Sequence, residues 1–214
     1  MSASPPEPVV RNPASPLLIL ISAPSGGGKT TLCQQLLTRH PEMARAITCT
    51  TRPPRPGEQD GVDYYFLDPT TFASRIAKDG FLEHATVYGH SYGTPKAEVR
   101  EKLRQGHDVL LNIDVQGAAS IGAAAAADAE LAKALVTVFL TPSSITELDT
   151  RLRRRATDAE PVLQKRLGVA RQEIAHWRNF QYLLISTSIA EDLRRMECII
   201  EAERMRQPRA RPPE

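Results

Sequence analysis

Cysteine, aromatic residues, net charge and long apolar runs are all scarce in this 214-residue chain, and each scarcity removes a class of protein. The cysteines are Cys33, Cys49 and Cys198, an odd set in no metal-ligand pattern. That excludes a disulfide framework and favours reduced thiols, packed as small buried hydrophobes, in a cytosol. Aromatic side chains are 5% of residues and the net charge is +2, too little stacking surface and positive charge for a nucleic-acid platform. No run approaches the roughly 18 to 20 apolar residues of a membrane-spanning helix, and the start, "MSASPPEPVVRNPASP", lacks the regions of a signal peptide. The expectation is a cytoplasmic protein with no nucleic-acid and no membrane partner, either monomer or homodimer.

What is present is one ordinary core. Hydrophobic residues make up 41% and charged residues 24%, as in a soluble globular protein. Prolines crowd both ends, so 1–16 and 205–214 read as disordered tails around a domain at 17–204. "LLILIS", "DVLLNID" and "ALVTVFL" are short, all-apolar runs, as expected of strands buried on both faces, and helical-looking segments separate them. This predicts an α/β fold with a parallel sheet flanked by helices. From about 47 to 95 the texture turns to prolines, tyrosines and glycines, which reads as an inserted subdomain of short strands. "GAAAAADAELAKA" reads as one helix with a plain solvent face. "TPSSITELDTRLRRRATD" opens with Thr141 and Ser143 as N-cap candidates, and its Arg151, Arg153 and Arg154 read as a solvated face. Trp177 reads as core.

"APSGGGKT" fits a Walker A pattern with alanine in place of its first glycine: Ala23, Pro24, Ser25, Gly26, Gly27, Gly28, Lys29, Thr30, followed by Thr31. Glycines let backbone N–H groups converge on phosphate oxygens at the positive end of a helix. Lys29 would reach the β- and γ-phosphates of ATP, and the Thr30 hydroxyl would ligate Mg²⁺. This loop is shared by GTPases, ATP-driven machines and small-molecule kinases, so the acceptor must be read elsewhere.

"TCTTRPPRPGEQDGVDYYF" places Arg52 and Arg55 around prolines with Tyr64 shortly after, two guanidiniums and a phenol able to surround a dianionic phosphate. "FLEHATVYGHSYGT" offers Glu83, Tyr92 and Thr94, a carboxylate beside hydroxyls that suits a base with adjacent N–H donors. With these motifs, and with "IDVQG" and "TPS" after them, the chain resembles the guanylate kinases from about Leu17 to Arg204.

The resemblance implies a P-loop kinase core, an inserted mixed-β subdomain that binds GMP and a helical lid at about 141–172. It implies transfer of the γ-phosphoryl of ATP to GMP, and to dGMP, with Mg²⁺ and no general base. Matched by motif, GMP contacts fall on Thr48, Arg52, Arg55, Tyr64, Glu83, Tyr92, Thr94 and Asp114, and metal contacts on Thr30 and Asp114. The catalytic set is Lys29, Arg52 and the lid arginines Arg155 and Arg166. Asn112 stands where the family has an aspartate, and Ser186 stands near a missing adenine-framing element. The alternatives are a non-catalytic module of the same family that captures phosphopeptides, and a P-loop kinase for another small molecule. Retention of Lys29, Arg155 and Arg166 argues against the module.

Overall fold

The computed structural model of the chain describes residues 15–87, 89–155 and 160–210; of Arg155 only the backbone is described. The tail residues 1–14 and 211–214 and the lid residues 156–159 lie outside that set. In chain order the first elements are β1 (Leu18–Ser22), α1 (Lys29–Arg39), β2 (Ala44–Arg45), β3 (Cys49–Thr50), β4 (Tyr65–Phe66) and α2 (Pro69–Ala77). They continue with β5 (Phe81–Val87), β6 (His90–Pro95), α3 (Lys96–Arg104), β7 (Val109–Asn112), α4 (Val115–Ala126) and α5 (Ala129–Ala134). The last are β8 (Leu135–Pro142), α6 (Ile145–Arg155), α7 (Glu160–Ala175), β9 (Tyr182–Ser186) and α8 (Ile189–Met205), with a 3₁₀ turn at His176–Asn179 before β9.

The apolar runs form a five-stranded sheet in the order β2-β7-β1-β8-β9, with every pair parallel. Central β1 is buried along its whole length, and its alternate side chains feed two cores. Leu17, Ile19 and Ile21 pack with Leu32 and Leu36 of α1 and Met196 and Ile200 of α8. Leu18 and Leu20 pack with Val99 of α3, Ala118 and Ile121 of α4 and Leu131 of α5. Each fully buried side chain of this size is worth about 1.5–3 kcal/mol against exposure, which is why continuous rather than alternating hydrophobicity marks such strands. Helices on both faces leave the carboxyl ends of β1 and β7 open, where Ile21 pairs in register with Asn112. In parallel sheets this edge is where ligands bind.

The second sheet, β4-β3-β6-β5, is mixed: β3 and β4 are parallel, and β6 is antiparallel to both β3 and β5. Its small core is Cys49, Phe72 and Phe81, the two rings stacked at 4.7 Å. Gly93 is required there, because a Cβ would stand 2.9 Å from the Phe81 ring. The α6–α7 pair has its own core of Leu148, Leu152, Leu163, Leu167 and Ala170.

Several expectations are corrected. The alanine-rich run is two helices, because the Asp128 carboxylate accepts the Glu130 and Leu131 N–H groups and caps a new start. Its face is not plain solvent: Ala125, Leu131 and Ala134 are core. Ser144, rather than Thr141 or Ser143, caps α6 by accepting the Glu147 N–H. Trp177 is half-exposed, with the Arg178 guanidinium 4.7 Å from its ring centre, rather than core. Cys198 is exposed, unlike the buried Cys33 and Cys49. Residues 205–210 belong to the folded body, since buried Arg209 pairs with fully buried Glu203 and donates to the carbonyls of Lys133 and Leu135. A tail read from prolines overlooked that one guanidinium could be fully satisfied inside.

Candidate active site

The loop between β1 and α1 turns on two left-handed glycines, Gly26 at φ +85° and Gly28 at φ +95°, the latter serving as the N-cap of α1. At Gly27 a Cβ would stand 2.9 Å from both Ala23 Cβ and the Pro24 carbonyl oxygen, so the close turn there admits no side chain. Pro24 O accepts the Gly27 N–H at 2.8 Å, while Ser25 and Thr30 are exposed. The loop thus leads directly into the N-terminus of α1, where the helix dipole favours anions.

Lys29 opens α1, and its Nζ donates to the Ile113 carbonyl at 2.7 Å, which ties the loop to the end of β7. Burial pushes its pKa down, opposed by the charges of Asp114 and Glu173. Asp114 caps α4, one carboxylate oxygen accepting the Gly117 N–H at 2.8 Å. Asn112, Thr30, Thr48 and Tyr64 line one cavity of about 360 Å³ between the two sheets. Among the described residues no group of three or more His, Cys, Asp or Glu could hold a metal. Thr30 and Asp114 offer hard oxygens of the kind taken by Mg²⁺, an ion that keeps waters and binds largely through substrate phosphates.

The acceptor residues come together across the second sheet. Arg52 donates through one Nη to both carboxylate oxygens of Glu58, at 2.8 and 2.9 Å, and through the other to the Pro53 carbonyl at 2.7 Å. Glu58 also accepts the Arg55 N–H at 2.7 Å, and that bond, before the arginine fork, holds its carboxyl below the usual range. The Arg52 guanidinium lies 5.6 Å from the centre of the Tyr64 ring, which meets the Tyr92 ring edge-on at 6.2 Å. Arg55 is exposed beside them. Glu83 and Thr94 are opposite one another in the β5–β6 ladder, and the Thr94 hydroxyl donates to Glu83 Oε1 at 2.6 Å. Burial pushes the Glu83 carboxyl up. Its Oε2 faces Gly117, where a Cβ would come within 3.4 Å, so α4 closes the far side of this pocket.

Three participants were not recognised from the sequence. Glu58 lay within a quoted motif without a role; a carboxylate beside a phosphate site signals an arginine holder. Arg151, read as part of a solvated face, is instead half-buried and lines a cavity of about 260 Å³ with Gly26, Gly28 and Arg154, which is exposed as expected. Arg151 is held by Glu147 at 2.5 Å and by the Ser186 hydroxyl at 3.3 Å, and Ser186 itself donates to Asp192 at 2.7 Å. The Ser186 hydroxyl is thus buried in a relay rather than turned to a base. Glu173 of α7 accepts the Ser25 N–H, a contact no local pattern announces. The side chain of catalytic candidate Arg155 lies outside the described residues, and Arg166 is on exposed α7 surface.

The family model for guanylate kinase matches residues 15–203. The chain is 40% identical over 201 residues to the guanylate kinase of Maricaulis maris, covering 94% of this chain and 89% of that protein. It is 42% identical over 193 residues to that of Zymomonas mobilis, covering 90% and 87%. Among solved structures it resembles the crystal structure of guanylate kinase from Anaplasma phagocytophilum, with a TM-score of 0.69 and 29% identity over 91% of this chain and 89% of that one.

Proposed function

Because the chain belongs to the guanylate kinase family and is an ATP:GMP phosphotransferase, we propose how its residues divide the reaction. The loop 23–31 holds ATP, the subdomain 47–95 holds GMP or dGMP, and the lid 141–172 closes over both. The reading rests most on the Glu83–Thr94 pair. Guanine presents N1–H and a 2-amino group, donors a half-buried carboxylate accepts together, with Thr48 and Asp114 alongside. Adenine lacks both and would leave Glu83 desolvated and unpaired, a mismatch worth on the order of 10⁴-fold in selectivity.

Arg52, Arg55, Tyr64 and Tyr92 hold the GMP phosphate, with Glu58 keeping the Arg52 fork aimed. No general base is needed, since a phosphate monoester with second pKa near about 6 is mostly dianionic at neutral pH. The attacking atom is a GMP phosphate oxygen, and Lys29, Arg155 and Arg166 neutralise the charge that spreads over the transferring phosphoryl. Thr30 and Asp114 would hold Mg²⁺, which supplies further charge neutralisation at the ATP phosphates when bound. Asn112 lines the same cavity with one negative charge fewer than the family pattern. Catalysis is then positioning plus electrostatics.

A coupled assay for ADP release with GMP, dGMP, AMP, CMP and UMP, with and without EDTA, tests this. Turnover is expected with GMP and dGMP, abolished by EDTA. Its absence with GMP and Mg²⁺ refutes the division of roles.

A further inference from the structure

The α6–α7 pair touches the phosphate loop at two adjacent residues. From α6, Leu148 and Leu152 lie over Gly26, where a Cβ would stand 2.9 Å from Leu152 Cδ2 and 3.2 Å from Leu148 Cδ1. From α7, Glu173 Oε2 accepts the Ser25 N–H at 3.2 Å, across 148 residues of sequence. The first contact is apolar and non-directional; the second is charge-assisted, a class roughly twice as strong as neutral hydrogen bonds.

Glu173 stands outside the apolar stripe of Leu163, Leu167, Ala170 and Ile174 that holds α7 to α6. It is nonetheless half-buried, at a place where burial disfavours its charge and the Ser25 N–H and Lys29 favour it. Arg166 precedes it by seven residues on the same unbroken helix, Glu160–Ala175. Two turns return to the same flank, about 10 Å along the axis. A helix fixed at Glu173 is therefore fixed in where it carries Arg166.

We propose that Glu173 is a positioning residue of the phosphoryl transfer: by clasping Ser25 it seats the lid helix on the phosphate loop and sets the reach of Arg166 toward the transferring group. This rests on the lid reading of Arg166 given above. The GMP cradle, on the other sheet, is not involved.

Steady-state kinetics and melting temperatures of Glu173→Ala, Glu173→Gln, Arg166→Met and Glu173→Ala/Arg166→Met test it. Glu173→Ala is expected to lower kcat about tenfold with the KM for GMP within about twofold of wild type, because small misplacements of a catalytic group are costly. Glu173→Gln keeps an oxygen for the Ser25 N–H and should recover most of the loss. In the Arg166→Met background the alanine change should cost nothing further, since coupled residues are not additive. Wild-type kcat in Glu173→Ala, no rescue by glutamine, or the full loss repeated in the double variant overturns the proposal while leaving the lid reading intact. Wild-type turnover in Arg166→Met overturns the lid reading and the proposal together. If Glu173→Ala melts before assay, Glu173→Gln and Glu173→Gln/Arg166→Met decide: a loss for glutamine that adds fully to that of Arg166→Met overturns the proposal.

Discussion

On the proposed division of roles, the donor loop and the acceptor cradle hold the same kind of group, a phosphate, by opposite means. The loop uses the backbone: nine consecutive residues, 23–31, whose glycines exist so that N–H groups can converge. The cradle uses side chains from β5, β6 and the segments flanking β3, two of them aimed by another side chain: Glu58 aims Arg52 and Thr94 orients Glu83. A backbone cradle is pre-organised by turn geometry and blind to the rest of the ligand. A side-chain cradle must be braced, and in return it can read a base. In that proposal generic grip and specific recognition sit on different sheets.

The comparison breaks most visibly at Lys29. Lys29→Met should lower turnover on the order of 10³-fold, the cost of losing a charge aimed at the transferring group, while calorimetry finds GMP binding nearly unchanged; an equal loss in both would erase the division. Arg52→Lys is the mirror test. Lysine cannot reproduce the fork, and losing a charge-assisted bond worth about 1.5–3 kcal/mol should raise the KM for GMP roughly 10- to 100-fold with the KM for ATP little moved.

Gly26→Ala probes the backbone side alone. A left-handed alanine under Leu152 should cost about 2 kcal/mol, from backbone strain and overpacking, read as a lowered melting temperature. Substitution at Gly89, also at positive φ but with nothing within 4 Å, should cost less, since only the strain remains.

The smallest effect is one of pH. Burial raises the Glu83 carboxyl above 4.5, and guanine needs the carboxylate, so the KM for GMP should rise as pH falls through that raised value. Glu83→Gln should flatten this profile. Stability runs the other way: with the folded pKa raised, the Glu83 contribution is full below 4.5 and is lost as pH rises through the folded value. Wild-type and Glu83→Gln melting curves across that window check the sign.

Legibility followed the distance over which each feature is decided. β1, the loop and α1 occupy 22 consecutive residues, Leu18 to Arg39, and hydrophobic run, glycines and lysine could be read in one pass. The break at Asp128 was missed because high alanine propensity masked a capping aspartate whose acceptor bonds reach only three residues. The solvated reading of Arg151 failed because its partner Ser186 lies 35 residues away.

By itself the sequence determined the local chemistry: a parallel-sheet strand feeding an anion loop, and residue types able to hold a second phosphate and a guanine. Backbone turns and hydrophobic continuity are set by neighbours, so they survive without a fold. Only the tertiary structure decided which side chains brace which: Glu58 on Arg52, Glu173 on Ser25, Ser186 and Asp192 behind Arg151, Arg209 on Glu203. A charged side chain acquires a direction and a protonation state from whatever surrounds it once water is excluded, and that surrounding is assembled from segments that the chain itself keeps far apart.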